Sequence, residues 1–205
     1  MTASDEFERA IDFNPEQGII HMIHDRDVMT VASLLSRSAV AASVLSGASG
    51  LAGTPDEIRV PGEIPGTVLH AEGAQIYECR TDATHQLVWQ AREPTATLMD
   101  GDHSVGRHYA ALHWEAVDAG TLMWEHKDGS SVKAKIVAQV AGRSADDLPW
   151  LKFGVIAQRG DGLFFGVSHV QRINTQGGVI RGACQQSGAY RSVPYSADYV
   201  FWRVE

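Results

Sequence analysis

The sequence predicts an all-β protein, an antiparallel β-sandwich or barrel-like domain that follows an N-terminal helical extension. Three observations predict it. After residue 60 the chain holds roughly ten short runs of strand-forming residues, bounded by Gly, Asp or Pro. Residues 131–140 alternate apolar and polar side chains, which is typical of a half-buried antiparallel strand. No stretch after residue 60 has a sustained helical period.

Residues 1–53 are interpreted as an acidic leader followed by a helical extension. Residues 1–28 hold seven acidic and two basic side chains. Residues 29–53 carry one charge, Arg37, and apolar residues at helical spacing. The same run also fits a degenerate signal peptide, but it has too much Ser and Gly for a stable membrane span. We expect a homo-oligomer contact through this helix.

The location of the protein depends on the same segment. If the chain starts at Met1 and keeps its leader, we expect a cytoplasmic protein. If residues 29–53 act as a signal peptide, we expect a secreted or envelope protein.

Residues 54–66 are predicted to be a linker, because five Pro and Gly residues in this stretch are too dense for a helix. The β domain is then 67–205. Its predicted strands follow in order: 68–70, 75–79, 86–91, 96–99, 109–115, 131–140, 150–158, 163–173 and a last strand after Pro194. Asp128-Gly129 and the segment 159–162 are turn signals between strands.

Composition excludes some classes of function. The chain is 44% hydrophobic and 20% charged, as in soluble globular proteins. Its net charge of −8 argues against nucleic acid as a partner, because that partner needs a basic face. Gly160 and Gly177 are interpreted as glycines of turns, because neither lies in a nucleotide-binding motif. No cofactor is therefore expected. No metal site is expected, because His108 and His113 would face opposite sides of one strand.

A small-molecule-binding β domain is the leading functional prediction. Aromatic walls with a few polar contacts are typical of ligand sites, and we assign that role to Trp114, Trp150, Arg172, Tyr195 and Phe201. Arg172 is expected to pair with Asp198, because a buried guanidinium needs a partner.

A cofactor-independent enzyme of isomerase, cyclase or hydrolase type is the alternative. His108 would be its general acid or base, with Glu115 or Asp198 as the partner carboxylate. An envelope interaction protein is a further alternative, in which the polar clusters only stabilise the fold.

Ordered sequence blocks lie across residues 60–203, among them the segments 70–79, 94–98, 106–110, 128–130, 148–151, 170–175 and 193–199. Together these blocks resemble domain-of-unknown-function family 3455. The resemblance implies no substrate and no catalytic residue. It does imply that Cys79 and Cys184, which spacing alone leaves either free or paired, form a disulfide. It also implies export, since typical members carry a signal peptide where this chain has residues 29–53.

Overall fold

The computed structural model describes residues 53–110 and 121–205. In these residues eight antiparallel strands form one sheet, and the sheet closes into a barrel because the last strand pairs with the first. The strands are β1 (Glu63–Thr81), β2 (Leu87–Asp100), β3 (His103–Ala110), β4 (Thr121–His126), β5 (Ser131–Val140), β6 (Trp150–Arg159), β7 (Val167–Gly177) and β8 (Tyr190–Val204).

The all-β, antiparallel prediction is confirmed, but the strands are fewer and longer than predicted. Gly73 and Pro94, where the sequence predicted breaks, lie inside β1 and β2. A Cβ atom on Gly73 would lie 2.0 Å from the carbonyl oxygen of Thr95, so glycine is needed for the close approach of these two strands. The last strand begins at Tyr190 and runs through Pro194.

The predicted linker contributes structure of its own. Asp56–Ile58 is a short 3-10 helix, and residues 63–66 already belong to β1. Ile58 is fully buried and packs in a small cluster with Trp150, Ile173 and Val200. The predicted helical extension and its oligomer contact lie outside the described residues.

Within the residues that the structure describes, no helix is long and apolar enough to cross a membrane.

Alternate side chains of every strand fill the inside of the barrel. An eight-stranded barrel encloses a space about wide enough for its own side chains. The rings of Phe164 and Phe201 stack with centroids 4.3 Å apart, and Trp124 meets Phe153 edge to face at 5.0 Å. All four rings are buried, so the barrel interior is the main hydrophobic core.

Cys79 and Cys184 are placed to form a disulfide. Their sulfur atoms are 2.01 Å apart and their Cα atoms 5.8 Å apart. Cys184 lies in the loop between β7 and β8, and two backbone hydrogen bonds also join Cys79 to this loop. The Cys79 N–H donates to the Ala189 oxygen and the Gly188 N–H donates to the Cys79 oxygen, each over 2.8 Å. The pair therefore fastens the loop between β7 and β8 to the end of β1.

Candidate functional site

The structure brings half of the predicted site residues together. His108, Arg172, Tyr195 and Phe201 are buried at inward-facing positions of β3, β7 and β8. Trp150 lies in the separate cluster around Ile58, away from the barrel core. Asp198 faces outward, and Trp114 and Glu115 lie outside the described residues.

His108 is a neutral histidine inside the barrel. Its Nδ1 lies 2.9 Å from the Met123 carbonyl oxygen, which can only accept, so Nδ1 carries the hydrogen and Nε2 keeps a lone pair. Burial lowers the pKa of His108 to about 3, and the charge of Arg172 acts in the same direction. The ring stacks on Trp124 at 4.4 Å. In the part of the chain described, His108 Nε2 and Trp124 Nε1 are buried without a hydrogen-bond partner.

Two tyrosines and Arg172 complete this inner cluster. The hydroxyls of Tyr195 and Tyr199 are 3.4 Å apart, and the Tyr199 ring lies 4.8 Å from the His108 ring. Burial raises the pKa of both hydroxyls, so both stay protonated. Arg172 stands opposite Tyr199 in the sheet and donates from Nε and Nη2 to the Pro149 oxygen, at 3.2 and 3.0 Å.

The predicted ion pair between Arg172 and Asp198 is wrong. Side chains alternate along β8, so the inward position of Tyr199 turns Asp198 outward. There Asp198 Oδ1 lies 2.9 Å from His70 Nδ1, and Oδ2 accepts a 2.8 Å bond from the Asn174 amide. Asn174 reaches this position at an irregularity of β7, where its φ is 52°.

The described residues do not assemble the predicted acid–base pair. His108 and Asp198 lie on opposite faces of the sheet, and Glu115 is outside the described residues. A histidine with a pKa of about 3 is also a weak base at neutral pH. The inner cluster therefore has the chemistry of a hydrogen-bonding and packing centre.

A hollow of about 1060 Å³, which the sequence did not predict, lies on the outer side of the barrel wall; we call it the outer hollow. Tyr109, Met123, Lys133 and Ala157 face each other across β3, β4, β5 and β6 and alternate with inward residues such as His108 and Trp124. Ile76, Met123 and Ala157 contribute half-buried or exposed apolar side chains to its lining, which also includes the buried residues Pro94 and Ala110. Its charged lining is Glu93, Glu125, Lys133 and Arg159.

The charges of the outer hollow differ in how they are engaged. Glu125 Oε2 accepts bonds of 3.0 and 2.8 Å from Arg107 and one of 3.0 Å from the Tyr109 hydroxyl. The bond from Arg107 is the main reason that the pKa of Glu125 is lowered, and Arg159 contributes a smaller effect. Lys133 makes no hydrogen bond or ion pair with other described residues.

Among the described residues, no three His, Cys, Asp or Glu side chains are grouped so that they could hold a metal ion.

The sequence prediction left Tyr199 and Trp124 out of the site. The alternation of Tyr195, Ala197 and Tyr199 along β8 could have found the former.

These features define an eight-stranded antiparallel barrel domain with a buried polar cluster and an open hollow on its wall. The chain belongs to the family described as protein of unknown function (DUF3455), whose sequence model matches residues 61–203. This match confirms the resemblance found in the sequence. A comparison with curated proteins finds no match, and a comparison with solved structures finds none either.

Proposed function

We propose that this domain binds a small organic molecule in the outer hollow. The observation that carries the proposal is the hollow itself, a space of about 1060 Å³ with a mostly apolar lining and a few charged groups. Ligand sites are usually concave, mainly apolar and supplied with a small number of polar contacts. The proposal keeps the ligand class predicted from the sequence, but it places the site on the outer wall of the barrel and not among the predicted residues Trp150, Arg172, Tyr195 and Phe201.

Packing on the two sides of the wall supports this choice. Inside, His108, Trp124 and Tyr199 are each at most 1% exposed, and their rings pack against one another. Outside, Tyr109 and Met123 are only half-buried. The hydrogen bond from His108 to the Met123 carbonyl holds β4 behind the hollow. A wall fixed from within is a preorganised surface for a ligand.

A neutral fluorescent probe, N-phenyl-1-naphthylamine, tests the proposal on the full chain. We expect saturable binding to the wild-type protein, seen as increased probe fluorescence. Ala157→Trp should abolish binding, because it places an indole in the hollow. Val137→Trp is the matched control: it adds the same ring at a β5 position that is 57% exposed and outside the lining.

Two results would contradict the proposal. One is the absence of saturable binding to the wild-type protein. The other is equal binding to Ala157→Trp and wild type when circular dichroism and thermal unfolding show that both are folded.

A further inference from the structure

We infer that the ligand of the outer hollow is an amphiphilic organic acid, with its anionic group on Lys133 and Arg159 and its apolar body over Met123 toward Ile76. This inference rests on the proposed function. It names the chemistry of the ligand, an apolar body that ends in a carboxylate, sulfonate or phosphate.

Each carboxylate of the hollow contacts an arginine that lies outside the lining. Glu125 accepts two hydrogen bonds from Arg107, at 2.8 and 3.0 Å. Glu93 contacts Arg92 Nε at 3.4 Å. Neither Arg92 nor Arg107 lines the hollow. Lys133 therefore faces the ligand space without a described polar partner, and Arg159 beside it interacts with Glu125 only through a weak electrostatic effect.

The two cations are close enough to share one anion. Lys133 stands opposite Ala157 and Ser131 stands opposite Arg159, so Lys133 and Arg159 are diagonal neighbours across β5 and β6. Diagonal side chains in an antiparallel pair start about 7–8 Å apart, within the combined reach of a lysine and an arginine. Ser131, which also lines the hollow, adds a hydroxyl beside them. An anion at this point would accept charge-assisted hydrogen bonds.

The rest of the hollow suits an apolar body. Met123 is directly opposite Lys133, and Ile76 and Pro94 lie at the β1–β2 side of the lining. From β5 to β1 the wall crosses four strand spacings, or about 19 Å. A ligand with only an anionic group would leave this apolar surface uncovered, and a purely apolar ligand would leave the lysine unpaired.

Two probes with the same aromatic skeleton separate the contribution of the anionic group from that of the apolar body. The first, 8-anilinonaphthalene-1-sulfonate, carries an anionic group, whereas N-phenyl-1-naphthylamine lacks it. We expect wild type to bind the sulfonate more tightly, and added salt to weaken only the sulfonate. Lys133→Met should weaken sulfonate binding at least about fivefold and change binding of the neutral probe by less than about twofold.

Lys127→Met is the matched control, because it removes one exposed lysine from the nearby β4–β5 turn, outside the lining. It should leave both affinities unchanged. Two results would overturn the ligand class, provided that Ala157→Trp still blocks binding. One is that the neutral probe binds as tightly as the sulfonate. The other is that Lys133→Met changes both affinities equally. The proposed function itself fails if neither probe binds, or if Ala157→Trp blocks neither.

Discussion

His108 makes the stability of the fold depend on pH in a way that can be calculated. The pKa of this buried imidazole is about 3 in the folded protein and about 6.5 in the unfolded chain. Between these values the unfolded chain binds a proton that the folded chain does not. The contribution of neutral His108 to the stability of the folded protein is therefore complete above pH 6.5, and it is lost as the pH falls toward 3.

The size of the effect follows from the two pKa values. Between pH 7 and pH 4.5, His108 alone lowers the free energy of unfolding by roughly 2–3 kcal/mol. His108→Phe removes this dependence and keeps an aromatic ring beside Trp124. The variant also loses the hydrogen bond to the Met123 carbonyl, which should cost about 1–3 kcal/mol at pH 7. Loss of the hydrogen bond lowers the free energy of unfolding at every pH, whereas loss of the imidazole changes how steeply that free energy depends on pH.

Urea unfolding at pH 7 and pH 4.5, followed by tryptophan fluorescence, measures both quantities. We expect wild type to lose roughly 2–3 kcal/mol more than His108→Phe on acidification. His103→Phe is the matched control, since it makes the same substitution at an exposed position of the same strand. An equal loss in wild type and His108→Phe would refute the reasoning, because it would mean that His108 titrates alike in the folded and unfolded states.

The cysteine pair and Asp198 give two further expectations. If Cys79 and Cys184 are bonded, dithiothreitol should lower the free energy of unfolding by up to about 4.7 kcal/mol, because the cross-link spans 105 residues; an unchanged urea midpoint would contradict the bond. Asp198→Asn should cost less than about 1 kcal/mol in thermal unfolding, since its partner His70 is partly exposed. A loss above about 3 kcal/mol would instead indicate a buried ionic partner such as Arg172.

The sequence predicts a strand best where its two faces differ in polarity. The strand predicted at 131–140 matches β5 to the residue, because alternating side chains follow a reliable Asp128-Gly129 turn. Gly73 and Pro94 misled the prediction, since each is a strand breaker by local preference. The close approach of β1 to β2 at Gly73 depends on tertiary pairing, which local preference does not contain.

The same limit applies to the candidate site. His108, Arg172 and Tyr195 could be predicted as buried polar residues from the apolar residues that alternate with them. Asp198 could not be assigned to a partner without knowing its face, because a shift of one position reverses which side of the sheet it occupies. The outer hollow depends on side chains from β1 to β6, and their register is known only once the barrel is closed.

The wall formed by β3 and β4 separates two kinds of residue that respond differently to substitution. Met123 belongs to both sides, since its carbonyl accepts the bond from His108 inside and its side chain lines the hollow outside. Inward residues such as Trp124 have no exposed surface and cannot contact a ligand in the outer hollow. Their substitution should therefore lower the free energy of unfolding and affect binding only indirectly. Lys133 makes no described polar contact, so its loss should change affinity with little effect on stability. If this division holds, the barrel interior maintains the shape of the wall, and the outer face selects the ligand.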